Sequence, residues 1–146
     1  MAIIAHGRMQ DYLEGKRPSK YHNKKIRSDG YVFDSIKESH RFAQLRLMER
    51  HGEIKSLVVH PVFEITVNGE KVCNFIPDFS YLVQARKVIP EGEVVNYVRE
   101  KGMLFERIVE DCKGFDKKTG WNSRTPVYLL KKKLLCVMHG IEVHEI

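Results

Sequence analysis

Cysteine is scarce in this chain: three thiols, Cys73, Cys112 and Cys136, in 146 residues, and no C-x-x-C pair. That excludes a cysteine zinc cluster and a disulfide scaffold, since one thiol is left over however they pair, and it fits a reducing compartment. The histidines, His22, His40, His51, His60, His139 and His144 among them, show no H-x-x-x-H spacing, so a helical zinc site has no support either. No apolar run approaches 18 residues, and the opening MAIIAHGR has neither a basic n-region nor an adequate h-region. A membrane span and a secretory signal are therefore not expected, and an intracellular, soluble protein is. Internal repeats are absent, and the length suits one domain.

What the chain does have is positive charge in two places. The formal net charge is +6. Residues 1–27 carry seven Lys/Arg and two Asp/Glu, and residues 113–133 carry seven and one, whereas 28–112 hold 11 basic against 14 acidic residues. Clustering of this kind suits a polyanion, because each neutralised phosphate releases condensed counterion. Residues 1–27 mix Gly, Pro, Lys and His without apolar periodicity and read as a basic flexible arm, followed by a single domain over 28–146. Lys20, Lys24, Lys25 and Arg27 of the arm, Lys117 and Lys118 of a polar loop, and Lys131 and Lys132 of a helix are the candidates for holding nucleic acid. Lys131, Lys132 and Lys133 stand at successive angles around that helix, so they cannot all follow one phosphate track. Tyr12, Tyr21 and Trp121, beside basic residues, are candidates for stacking on unpaired bases.

Local signals order the domain. Ser35-x-x-Glu38 matches a capping box, so a helix should start at Ser35, bury Ile36, Phe42, Ala43, Leu45, Leu47 and Met48, and stop near His51-Gly52. SLVVHPVFEITV, residues 56–67, reads as a strand with Pro61 at an edge or bulge; Asn68-Gly69 is a hairpin turn; and a partner strand should run from about 71 to 83. Residues 84–102 form a polar insert with a short apolar run at Val94-Val95. A third strand is expected over 103–112. Thr125 then caps a helix with Pro126 at its first position, Val127, Leu130, Leu134, Leu135 and Val137 as its apolar face and Gly140 as its stop. The alternation of residues 141–146 predicts a last strand. The fold class is α/β, in the order αβββαβ.

Two carboxylates lie where apolar strands rarely place one: Asp78, after Pro77, and Asp111, in Glu110-Asp111-Cys112-Lys113. Period-two alternation puts Asp111 and Lys113 on one face and Glu110 on the other. If Asp78 is on the neighbouring strand, Asp78 and Asp111 can converge on one hard divalent cation, with the Cys112 backbone carbonyl as a further oxygen ligand. Mg2+ suits that sparse oxygen set, with Mn2+ able to substitute. The chemistry it fits is phosphodiester hydrolysis, with Lys113 orienting the attacking water and offsetting developing charge. Glu38 has two readings: an N3 helix cap, or a further ligand of the cation.

Pro77-Asp78 followed by Asp111-x-Lys113, in that element order, resembles the PD-(D/E)xK nuclease superfamily over roughly residues 31–146. Tyr21-x-Asn23-Lys24-Lys25, Phe33-Asp34-Ser35-x-Lys37-Glu38, Val109-Glu110-Asp111-x-Lys113-Gly114 and the Lys-rich last helix are similar to small phage endonucleases akin to Holliday junction resolvases. The resemblance implies a restriction-endonuclease-like core, with a central mixed sheet flanked by helices. It implies metal ligands at Asp78, Asp111 and often Glu38, and a catalytic lysine at Lys113. It also implies a homodimer acting in DNA recombination or repair, in the cytoplasm of a bacterial host if phage-encoded. The expected function is a Mg2+-dependent, structure-selective endonuclease acting on DNA, most simply a Holliday junction resolvase. The alternatives are a restriction- or repair-type nuclease on linear or flapped DNA, and a non-catalytic nucleic-acid-binding module.

Overall fold

The computed structural model describes residues 25–86, 96–114, 120 and 122–146, which divide into two compact units at residues 39 and 40. In the first unit, β1 (Ile26–Ser28) and β2 (Tyr31–Phe33) pair antiparallel across Asp29-Gly30. Both turn residues have positive φ, 49° and 82°, as a two-residue hairpin turn of mirror-image type requires. Ile26 and Arg27, the last residues read as arm, are thus in a strand. The helix α1 (Ile36–Arg50) then begins as its capping box predicts. Ser35 Oγ accepts from Glu38 N–H at 3.1 Å and donates to Glu38 Oε1 at 2.9 Å, while Asp34 N–H donates to Glu38 Oε2 at 3.1 Å.

In the second unit, α1 ends at Gly52, whose φ of 75° lets its amide close on Glu49 O at 3.0 Å. The expected buried face is narrower than the periodicity suggests: Phe42 and Leu45 are buried, Ala43 and Leu47 exposed. The long strand expected over 56–67 is two, β3 (Lys55–Val59) and β4 (Phe63–Val67), and its partner is also two, β5 (Glu70–Phe75) and β6 (Phe79–Gln84). The Asn68-Gly69 hairpin forms as expected, joining β4 to β5, but the ribbon leaves the ladder where His60-Pro61 faces Pro77-Asp78. Two prolines with no N–H to give end the pairing there. β3 and β6 continue into a separate five-stranded sheet.

That sheet runs β3-β6-β8-β7, with β7 (Tyr97–Glu100) and β8 (Met103–Asp111) joined at Lys101-Gly102. β7 occupies part of the insert; Val94-Val95 lie outside the described residues. β9 (Val143–Glu145) pairs with the second half of β8 in parallel, reached through α2 (Pro126–His139), while the other pairs are antiparallel. The sheet is therefore mixed, and the protein is α/β.

α2 begins and ends on the expected residues: Thr125 Oγ1 accepts from Tyr128 N–H at 3.1 Å, Pro126 stands in the first turn, and Gly140 at φ 61° closes on Cys136 O. Its expected apolar face is borne out in part. Leu135 is buried and Leu134 packs against the core, but Val127, Leu130 and Val137 are exposed, and Tyr128, seven residues before Leu135, turns inward with it to join Ile65, Phe75, Val109 and Val143. A tyrosine ring buries more area than a valine, so the Tyr128 stripe wins. On the other sheet face Phe42 stacks on Phe79, with ring centroids 6.4 Å apart. Among the described residues no helix is long and apolar enough to cross a membrane.

Candidate metal centre and nucleic-acid interface

Strand register decides what the carboxylates can do. Phe79 faces Glu110 across β6 and β8, so one step further Asp78 comes opposite Asp111, and side chains at opposite positions share a face. Both line one open cleft of about 430 Å3, together with Lys113, Lys131, Tyr128 and Asn74. Asp78 Oδ2 accepts from the Cys112 backbone N–H at 2.6 Å, which ties the bend before β6 to the end of β8. Asp111, 6 % exposed, holds Lys113 Nζ at 2.8 Å.

Glu110 points the other way, as alternation requires. Its Oε2 accepts from Arg41 Nε at 2.8 Å, and its Oε1 from Arg41 Nη2 at 2.5 Å and Tyr81 O–H at 2.6 Å. Burial, and then the bond to Glu110, push the Tyr81 hydroxyl well above the ordinary tyrosine range.

Tyr128, which carries no motif signal in the sequence, also lines the cleft. Lys113 Nζ sits 3.8 Å from the centroid of its ring, so the ammonium is held between a carboxylate and a π face. Its hydroxyl donates to Glu145 Oε1 at 3.2 Å. Burial, and then the negative charges of Asp111 and Glu145, drive the Tyr128 pKa far up, so this hydroxyl stays protonated. Glu145 also accepts from Lys132 Nζ at 3.0 Å and from Arg124 Nε. Burial alone would raise the Glu145 pKa, but these two cationic bonds outweigh it, and the net shift is downward. Its ion pairs therefore stabilise the fold above about pH 4.3, the unfolded value, and that contribution is lost as pH falls through the lower folded pKa. Glu145→Gln should lower the thermal midpoint at pH 7, with the gap to the native chain narrowing as pH falls through the lowered folded pKa. Melts followed by circular dichroism across that range measure it, and a gap that widens on acidification would contradict the sign.

The basic candidates separate. Lys131 reaches the cleft with Nζ 3.0 Å from Asn74 O, whereas Lys132 turns to Glu145. Lys25, exposed, stands 3.9 Å from Asp34, and Arg27 is exposed on β1. Lys20, Lys24, Lys117, Lys118, Tyr12, Tyr21 and Trp121 lie outside the described residues. Glu38 bonds to Ser35 and Asp34, the cap role weighed for it.

Sequence spacing set His60 aside. An imidazole nitrogen of His60 nevertheless lies within 4.8 Å of an Asp78 carboxylate oxygen, and His60 N–H donates to Asp78 O at 2.8 Å. The hairpin held the signal. Val59 faces Phe79 before the bend and Phe63 faces Phe75 after it, in one continuous register, so His60 falls opposite Asp78.

Residues 18–134 match a family model described as "Protein of unknown function (DUF1064)". No curated protein and no solved structure matches the chain.

Proposed function

We propose that this chain, which belongs to the DUF1064 family, is a metal-dependent, structure-selective DNA endonuclease on a restriction-endonuclease-like core, and most simply a resolvase of four-way junctions. The observation that carries the reading is the meeting of Asp78, Asp111 and Lys113 in one cleft, with the Lys113 ammonium 2.8 Å from Asp111. Two carboxylates from facing strands, with the Cys112 carbonyl between Asp111 and Lys113, are a hard oxygen set of the kind Mg2+ or Mn2+ accepts. Asp78, oriented by the Cys112 amide, and Asp111 would hold the ion. When bound, the ion supplies Lewis-acid polarisation of the phosphoryl group and a more acidic water.

The chain's own groups do the rest. Lys113, fixed by Asp111 and by the Tyr128 ring, orients the attacking water and offsets charge developing on the phosphate. Lys131, whose Nζ lies in the same cleft, steadies a neighbouring phosphate. Glu38 is the third carboxylate that the resemblance adds. Glu38→Gln keeps acceptors for the cap while removing the charge, so weaker metal binding with an intact helix would assign it a ligand role. The homodimer implied by the resemblance would place two such sites about a two-fold axis, one for each incision.

Labelled four-way junctions incubated with Mg2+ test the proposal, with linear and flapped duplexes of equal sequence alongside and EDTA as control. Symmetric cuts confined to the junction support a resolvase; faster cutting of linear or flapped DNA moves the reading to a repair- or restriction-type nuclease. Salt-sensitive binding with no scission under either metal would leave only a binding module. Lys113→Ala should lower the cleavage rate by about 10²–10³-fold while metal affinity, followed by calorimetric titration, stays in place. A collapse of metal affinity would remove the role given to Lys113.

A further inference from the structure

We infer that His60 is a nitrogen ligand of the metal held at Asp78, and that it tunes the site toward manganese and away from magnesium. The inference rests on the metal site of the proposed function, but not on cleavage.

Placement comes first. The continuous register of the bent hairpin sets residue 60 opposite residue 78 at the point where the ribbon leaves the sheet, and the His60 amide is bonded to Asp78 O at 2.8 Å. Backbone pairing therefore holds the two residues together whatever their side chains do. His60 takes φ +50°, a conformation that costs an L side chain about 1–2 kcal/mol, and Pro61 follows it. The chain accepts that cost with an imidazole, exposed to solvent, carried to within 4.8 Å of the Asp78 carboxylate.

Coordination distances come next. Donors bound to one ion at roughly 2.0–2.2 Å stand about 3 Å apart when cis and up to about 4.4 Å when trans. The His60–Asp78 separation is within a small side-chain rotation of that range. The donor set then decides the metal. Mg2+ demands oxygen and keeps its water, whereas imidazole suits first-row transition ions, whose affinity for a mixed nitrogen and oxygen site is higher. A site of carboxylates alone discriminates less between the two ions; an imidazole nitrogen enlarges the preference.

The test loads the full-length chain, freed of metal by chelation, with Mn2+ in the absence of DNA and records electron spin-echo modulation. The native chain should show 14N modulation from a coordinated imidazole, and His60→Asn should lose it while still binding Mn2+. Asparagine tolerates the left-handed backbone, so the fold should persist; if that variant melts early, His60→Gln takes its place. Calorimetric titration should give the native chain Mn2+ affinity at least tenfold above Mg2+, with the ratio falling several-fold in the variant. Absence of 14N modulation in the native chain, or its persistence in both variants, would overturn the assignment. The two readings fail separately: a chain that cuts junctions with Mg2+ but shows no nitrogen coupling loses only His60. A chain with nitrogen-coupled Mn2+ that cuts nothing keeps His60 and loses the nuclease.

Discussion

Asp111→Asn should lower single-turnover cleavage of a four-way junction by at least about 10³-fold while leaving junction binding in EDTA within a few-fold of the native chain. The reason lies in where Asp111 stands. It is the buried carboxylate directly across from Asp78, and it holds the Lys113 ammonium at 2.8 Å. Replacing one oxygen by an amide nitrogen removes a negative charge from the proposed metal shell. Several kcal/mol of transition-state stabilisation go with it, which is a factor of about 10³ or more. The shape is retained and the Tyr128 ring still faces Lys113, but this half-neutralised pair loses its charge–charge attraction, so the thermal midpoint should fall as well and cleavage is compared at a temperature where the variant is folded. Quenched-flow cleavage of end-labelled junctions, paired with gel shifts in EDTA, measures both halves. Unchanged cleavage in this variant would remove the metal site from the mechanism.

The second large effect falls on stability, at the neighbouring residue. Glu110→Ala should cost about 3–5 kcal/mol, a large part of the about 5–15 kcal/mol that holds a domain folded. The side chain is 5 % exposed and accepts two bonds from Arg41 and one from Tyr81. Without it, Arg41 Nε and Nη2 and the Tyr81 hydroxyl lose their acceptor at the α1–sheet interface, and among the described residues the guanidinium keeps only its bond from Nη1 to Gln44 Oε1 at 3.1 Å. Replacing Arg41 and Glu110 together by Met and Leu should cost much less than either single change, because no charge is then stranded. Urea denaturation of the two singles and the double gives the comparison, and a double variant as unstable as the sum of the singles would show that the pair is not what holds α1 to the sheet. Adjacent residues of one strand thus have different expected phenotypes: Asp111 affects turnover, whereas Glu110 affects folding alone.

Much of this was legible before any coordinates. The capping box at Ser35, the Asn68-Gly69 turn, and Thr125-Pro126 with Gly140 around α2 are local signals, and local signals survive folding because they are satisfied within a few residues. The separation of Glu110 from Asp111 and Lys113 is equally local, being the alternation of a single strand. The buried faces of both helices were less legible. Val127, Leu130 and Val137 were expected on the apolar stripe of α2 with Leu134 and Leu135, yet only the last two reach the core and Tyr128 turns inward beside them. Periodicity offers two stripes there, and only the sheet opposite chooses between them.

Which residues meet across strands is where the sequence alone runs out. Caps, turns, the two basic segments and the facing of Asp111 with Lys113 are decided by the chain itself, because each depends on neighbours close in sequence; the expected order αβββαβ lacked the β1–β2 hairpin and counted as three the six strands that lie between the helices. The pairing of Asp78 with Asp111, the seat of Lys113 on Tyr128, the withdrawal of Lys132 to Glu145 and the arrival of His60 beside Asp78 were decided only in three dimensions. For Asp78 with Asp111 and for His60 with Asp78, a one-residue slip in register would turn a side chain to the opposite face, and only the folded ladder fixes that register; the contacts of Tyr128 and Lys132 depend instead on how α2 packs.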